Sequence, residues 1–468
     1  MIRKSITIAL AYVGLLVGAG FASGQEVIQY FSAYGTKGII GAMLACVLIV
    51  ISGTVLFQLG SYFLADNHSV VFDNVTHPNV SKFLDLSTMI TLFSIGFVMI
   101  AGAGSNLQQQ FGLSNWIGAL IMTALLVISG FLDVDKITNI ISAITPLLII
   151  SVLGAAVVTI LRLPELDTEH LNEIAMSNQA ASGVFGSWWV SALNYAGLCI
   201  IVGVSMILVI AGSQMNPRHA GAGGLVGGML FAALLILLTL ILFFNMEDIV
   251  GADMPLLMVF DNMHPAVGVV VALIIYAMIY NTAVGMFYAM SRRLSTGHPE
   301  RFLPIYLTVV GIGFLLSFVG FSDLVSWIYP ILGYLGVVLV AVLTASWVKS
   351  RDDIAVETER RVRLAELAET QLDPESSDLS RRERKEVEVL VGESHVEDAE
   401  LWQSVQEEVA SDLDADPFSE FELADYPQFD PDHEEYSGPP EGDTEEIDWQ
   451  AYDEYYNPGS AGESNSKR

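Results

Sequence analysis

Apolar residues run in long blocks through the first 350 positions of this chain, and polar and acidic residues fill the remainder. Ten blocks approach the roughly 20 residues an α-helix needs to cross hydrocarbon. They span 6–34, 38–64, 83–109, 116–131, 137–161, 187–211, 222–244, 267–290, 302–319 and 324–348. Each predicts a transmembrane helix, and 252–262 predicts a short surface helix ahead of the eighth. The expected fold class is an all-α polytopic membrane protein of ten transmembrane helices.

The first block departs from the others at its centre, which reads Gly18, Ala19, Gly20, Phe21, Ala22, Ser23, Gly24, Gln25, Glu26. Glycine weakens a helix by about 1 kcal/mol relative to alanine, and a carboxylate at mid-membrane costs about 3 kcal/mol or more. A plain anchor gains nothing from that load. A helix broken to present backbone groups and polar side chains to a solute does. Gly18 to Gln25 are therefore candidate solute contacts. GxxxG spacing at Gly14/Gly18 and Gly20/Gly24 also fits close helix packing. Glu26 keeps two readings. With Ser23 it matches a capping box; alternatively it titrates, as a proton carrier or as partner of a cationic solute.

Basic residues in the intervening loops place ten on one side, Lys82, Arg218, Arg292 and Arg293 among them, against Lys37 and Arg162 on the other. That bias puts both termini in the cytoplasm. Ten helices divide as five plus five, and an odd half inverts the second relative to the first. Ala9–Leu15 and Ala192–Leu198 agree at five of seven positions at an offset of 183 residues. Inversion then puts a second break in the sixth helix near 202–205, with Gly203 and Ser205 lining the site and Asn194 and Tyr195 nearer the outer end. In the eighth, Asn281 and Thr282 lie deep enough to reach a cation held by the first.

The divisions expected are 1–163 (first repeat), 164–186 (outer connecting loop), 187–350 (second repeat), 351–413 (charged, partly helical) and 414–468. Residues 351–468 hold 36 acidic and 10 basic residues, most of the chain's net charge of −31. From 414 acidic residues alternate with aromatics and prolines, which predicts disorder. That tail is either a solvating appendage or a docking segment for a cytoplasmic protein partner. No basic patch suits nucleic acid. Cys46 and Cys199, without CxxC spacing, read as apolar packing. No phosphate loop and no pairing of nucleophile with base is present, so an enzyme is not expected.

The run Gly18–Glu26, continued by Val27-Ile28-Gln29-Tyr30-Phe31, resembles the YkvI-like family of bacterial membrane proteins within the amino acid–polyamine–organocation superfamily. The resemblance covers about residues 1–350 and carries no substrate. It implies a LeuT-like fold of two inverted five-helix repeats in the bacterial inner (plasma) membrane, with helices one and six unwound at the site. In sodium-coupled relatives the ion sits between the first-helix break and helix eight, here the Gly18–Phe21 backbone with Asn281 or Thr282. Some proton-coupled relatives use a lysine in helix five; block 137–161 has none, which favours sodium, or protons through Glu26. The expectation is a secondary active transporter of a small polar solute, an amino acid or related zwitterion, with no cofactor beyond a coupling Na+. A membrane sensor signalling through the tail, and a passive channel, are the alternatives.

Overall fold

The first apolar block is divided. A computed structural model, describing residues 2–131, 144–162, 167–182, 186–372, 379–396, 398–415, 419 and 421–426, resolves it into α1 (Ile2–Leu16), α2 (Ala19–Ser23) and α3 (Gln25–Tyr30). Then follow α4 (Thr36–Tyr62), α5 (His68–Val75), α6 (Pro78–Phe111), α7 (Asn115–Ser129), α8 (Ile144–Arg162) and α9 (Thr168–Ser182). The second half has α10 (Trp188–Gly212), α11 (Pro217–Phe244), α12 (Met246–Ile249), α13 (Pro255–Met263), α14 (Pro265–Leu294), α15 (Phe302–Leu316) and α16 (Phe321–Leu372). Beyond the apolar blocks lie α17 (Arg381–Gly392) and α18 (Asp398–Asp414).

Among the described residues, seven helices are long and apolar enough to cross a membrane: α4, α6, α10, α11, α14, α16, and α15 with the 3-10 turn that extends it. Three shorter apolar helices, α1, α7 and α8, fall in the remaining blocks. The stretch 137–143 of the fifth block lies outside the described residues. Starts are chemically marked. α6, α11 and α14 each open on proline, whose missing N–H costs nothing in a first turn. His77, Asn216 and His264 just before them accept backbone N–H bonds. Large apolar side chains remain exposed along the outward faces, Leu161 at 74% and Trp327 at 75%, as a lipid-facing surface requires.

Two groups of helices meet around α2 and α3. In one, α4 packs against α10 and α11, and α1 against α11; in the other, α6 packs against α14, α7 and α15. α16 lies along α10, and the approach is tight: a Cβ on Gly336 would stand 2.0 Å from the Gly197 carbonyl oxygen. The expected surface helix at 252–262 forms as α13 but is buried through Leu256, Leu257 and Phe260. It lies over the α2–α3 junction because three apolar residues on one short helix need a partner, and that junction supplies it. The connection expected as a loop at 164–186 contains α9, which packs on a 3-10 turn at Ser32–Tyr34.

Past the last apolar block, α16 continues without interruption to Leu372. Leu364, Leu367, Leu372, Val387, Val391, Trp402 and Val405 form a second core with Met215 from the α10–α11 connection. The charged, partly helical division 351–413 holds the end of α16 and two further helices, α17 ending at Gly392 and α18 beginning at Asp398. Phe421, placed by the sequence in a disordered segment, is buried in this cap and stacks on Tyr426 with ring centroids 4.7 Å apart. A shared apolar surface was on offer that the local composition did not reveal. Phe418, Phe429, Tyr436, Trp449 and Tyr452 lie outside the described residues.

Candidate functional site

The break in the first rod begins where Gly18 turns its N–H onto the Leu16 carbonyl (2.9 Å) rather than one turn back, with extended backbone (φ −81°, ψ −178°). The Ala22 N–H then returns to the Gly18 carbonyl (3.0 Å), so α2 is a short restart. It stops at Gly24, whose φ of +81° favours glycine, and α3 begins at once. A Cβ at Gly24 would also meet the Leu256 backbone nitrogen at 3.1 Å. Peptide groups on either side of 17–19 are thereby released from the helical ladder.

Ser23 ends α2, donating its hydroxyl to the Gly20 carbonyl (2.8 Å) and accepting from the Gln25 N–H (3.2 Å). The capping box is therefore not formed: the left-handed Gly24 separates Ser23 from α3, and no side chain caps α3. Glu26 instead folds back over α2, its carboxylate filling the space a Gly20 side chain would take, with Oε1 only 1.5 Å from that hypothetical Cβ. From Gly20 to Gly35 every residue is buried except Gln25 and Glu26, which are half-buried. Gln25 reaches Ser322 at 3.4 Å, and Ser322 and Ser105 both donate to Asp253, linking α3, α16, α6 and the stretch before α13.

The Glu26 carboxylate meets Tyr329 on α16, and its charge acts on Tyr30 one turn along α3 and on Tyr195 of α10. Tyr30 donates to Asn194 Oδ1 (3.0 Å), and Asn194 Nδ2 donates to the Pro330 carbonyl (2.9 Å). Tyr195 packs against Tyr30 and Phe31, centroids 5.2 and 4.9 Å away. The Tyr329 hydroxyl interacts with the Glu26 carboxylate and the Tyr195 hydroxyl with the Cys199 thiol, neither at full hydrogen-bond geometry. Asn194 and Tyr195 thus join the break. Phe21 instead packs against Phe231, centroids 5.5 Å apart, and Ala22 is buried.

The structure does not contain the second break. α10 is continuous through Val202–Ser205, and a Cβ at Gly203 would meet only Ile207 of its own helix. A single glycine costs about 1 kcal/mol in a helix, too little to interrupt a well-packed one without a second breaker. Ser205 lies apart from the first-helix break, bonded to His68 Nδ1 on α5 (3.0 Å). The other ring nitrogen of His68 meets Asp85 (3.0 Å), which also binds Arg293 (3.1 Å). Irregularity in the second half resides in α16, where Pro330 sits inside the helix beside Asn194 and leaves the carbonyl four residues back without its usual donor.

Of the sodium-site candidates, Thr282 does reach the break: its Oγ1 lies 3.9 Å from the Cβ position of Gly18, and α14 packs on α2. Asn281 neighbours it on α14, half-buried. The sequence reading missed Tyr30, Tyr329 and His68. Tyr30 was legible, since a residue four after Glu26 shares its helix face. Tyr329 was not, being some 300 positions away.

No protein-family model matches the chain. It is 25% identical over 340 residues to the uncharacterized membrane protein YkvI of Bacillus subtilis (strain 168), covering 72% of this chain and 94% of that one. YyaD of the same organism is 25% identical over 342 residues, covering 73% and 96%. Among solved structures, inward-facing Mhp1 superposes with a TM-score of 0.52 at 13% identity, covering 74% of this chain and 77% of that chain. MhsT in complex with L-phenylalanine gives 0.54 at 13% identity, covering 86% and 95%. At such identities the likeness speaks for the fold, which is LeuT-like.

Proposed function

We propose that this chain, a homologue of YkvI/YyaD-type membrane proteins with a LeuT-like fold, is a secondary active transporter of a small polar solute bearing a protonated nitrogen. The observation that carries the reading is the double interruption at Gly18 and Gly24, with Glu26 folded across the short helix between them. Interrupted helices in hydrocarbon are tolerated where freed peptide groups line a solute site. Solute contacts are assigned to the backbone of Gly18–Ser23 and to Gln25, Asn194 and Tyr195, with Glu26 as the charged group. Gly203 and Ser205 are not among them.

Coupling is to sodium or protons. The approach of Thr282 to Gly18 supports a sodium site of backbone oxygens from 18–21 with Thr282 and Asn281. Alternating access follows from the two helix groups. One, α1, α4, α10 and α11, rocks against α6, α7, α14 and α15, with the break between them. The chain is placed in the bacterial plasma membrane with both termini cytoplasmic.

The test is uptake by the full chain in proteoliposomes, first across a panel of amino acids and related zwitterions, with and without a sodium gradient. Saturable, gradient-driven accumulation is expected; flux that neither saturates nor follows an ion gradient would make the protein a channel. A second reading rests on α16, which runs unbroken from Tyr329 beside Glu26 into the cap. A sensor using that rod would bind solute, show no flux, and change hydrogen exchange in α17 and α18.

A further inference from the structure

Asn106, on α6, is 0% exposed, and neither its amide oxygen nor its amide nitrogen has a hydrogen-bond partner. Burying an unpaired polar group costs about 1–3 kcal/mol. A leucine would avoid that cost, so the amide needs a reason to be there, and its neighbours supply one. Helical spacing puts Gly102, Ser105, Asn106 and Gln109 in one stripe of α6. Gly102 lies against Phe321, whose ring stands 3.1 Å from the glycine's Cβ position. Ser105 donates to Asp253 (2.8 Å), and Gln109 exchanges two bonds of 2.9 Å with the Met254 backbone. Asn106 therefore opens into the seam between α6, the stretch before α13 and the start of α16.

Asp253 is the charged group of that seam. Among the described residues it forms no ion pair, and its two oxygens accept from the hydroxyls of Ser105 and Ser322. Asp85, by contrast, is held by Arg293 and His68. Hydroxyls that donate to a carboxylate keep lone pairs on their own oxygens for a further partner. Carboxylate, hydroxyl and amide oxygens are the donors that hard cations take. An anion is excluded by Asp253, and a water would answer the amide while leaving the carboxylate's charge unmatched. One carboxylate among neutral oxygens balances a single positive charge, whereas calcium sites commonly draw on more than one. The other acidic group nearby, Asp261 toward the far end of α13, is engaged by Gln110 (3.3 Å). Asp253 is half-buried, which leaves an ion a way in.

We propose that Asp253, Ser105, Ser322 and Asn106 form a sodium-binding site, separate from the oxygens at Gly18 and Thr282. The ion takes the Asp253 carboxylate, the two hydroxyl oxygens and Asn106 Oδ1. Bound there, it ties α6 to the stretch before α13 and to the start of α16. Gln25 of the broken rod donates to Ser322 (3.4 Å), so the ion lies one residue away from the interrupted helix. The site does not depend on the transporter reading.

The experiment is equilibrium binding of 22Na+ to the full chain in detergent, with ionic strength held constant by choline chloride. It is run on the natural sequence and on Thr282→Ala, which disables the other candidate sodium site. Saturable binding is expected in both. In the Thr282→Ala background, Asp253→Asn should weaken that binding about 30-fold. Asn106→Leu should weaken it about 10-fold. Ser105→Ala and Ser322→Ala should each weaken it several-fold, and they keep the result readable should Asp253→Asn fold poorly. An amide with no ligand predicts a different outcome for Asn106→Leu: raised thermal stability with Na+ binding unchanged. That outcome overturns the proposal. So does the absence of saturable binding in Thr282→Ala, binding indifferent to Asp253→Asn and both serine variants, or a preference for Ca2+ over Na+ in the natural sequence.

Discussion

Among the described residues, Glu26 is half-buried in the broken first rod and Glu357 is buried in the cap, and their surroundings are opposite. Glu357 is 2% exposed in the cap and is met by Arg361 (2.8 Å), Arg360 and the Ser394 hydroxyl (2.7 Å). Arg361 spends its remaining donors on the carbonyls of Ser61 (2.7 Å), Tyr62 (2.7 Å) and Met215 (3.2 Å). Every charge there is answered within the chain, and the result clamps the cap onto the end of α4 and the α10–α11 connection. Glu26 has Tyr329 and, among the described residues, no ion pair. Completed charge networks hold structure together; one left incomplete in an otherwise finished interior marks where a ligand belongs.

The strongest way to break the comparison is to remove the answering charge from the closed network. Arg361→Ala leaves Glu357 to Arg360 and Ser394 and takes a donor from three carbonyls, of which Ser61 keeps the Leu64 N–H and Tyr62 keeps His395, and should cost the docked cap about 1–3 kcal/mol. Hydrogen exchange over 381–414 should rise sharply, and unchanged protection would show that the apolar core alone holds the cap. Next, Gly20→Ala places a methyl where the Glu26 carboxylate lies. Because a flexible side chain can swing away, the fold should survive while affinity for the transported solute falls about 10-fold, or about 1.4 kcal/mol. An unaltered affinity would mean the carboxylate is not held over α2 when ligand binds. Asn194→Leu removes the acceptor of Tyr30 and should weaken binding about 5-fold, roughly 1 kcal/mol. A loss confined to stability, with binding intact, would take Tyr30 out of the site.

The smallest effect sharpens the closed side. His395 stacks on Tyr62, centroids 4.1 Å apart, and its Nε2–H donates to the Tyr62 carbonyl (3.0 Å). Burial, aided by Arg361 and opposed by Glu357, lowers its pKa below the ordinary 6.5. With the folded value depressed, the neutral ring's contribution is complete above about pH 6.5 and fades as pH falls through the lower value. Protection of 393–396 should decline by under about 1 kcal/mol between pH 7 and 5. His395→Asn should flatten that dependence.

Much of this was legible in the chain. Blocks of apolar residues with prolines and polar caps at their starts determine where helices lie, because backbone groups in hydrocarbon must bond within their own segment. Three glycines and a carboxylate in one block determined that the first rod is interrupted, since local backbone freedom is a local property. The sixth rod shows the limit of the same reasoning. An inverted-repeat argument placed a break near Gly203 by symmetry, but a lone glycine inside an otherwise apolar helix stays helical, and Pro330 in a different helix carries the irregularity.

What the sequence determined by itself, then, was the run of helices, the broken rod and the acidic appendage. Tertiary structure alone decided which residues complete the site and which charges are paired. Tyr329 reaches Glu26 from about 300 positions away, and Arg361 reaches Ser61 and Tyr62 across the same distance. Such partners are chosen by the packing of whole helices, through forces that act over a few ångströms in space and leave no periodic trace along the chain.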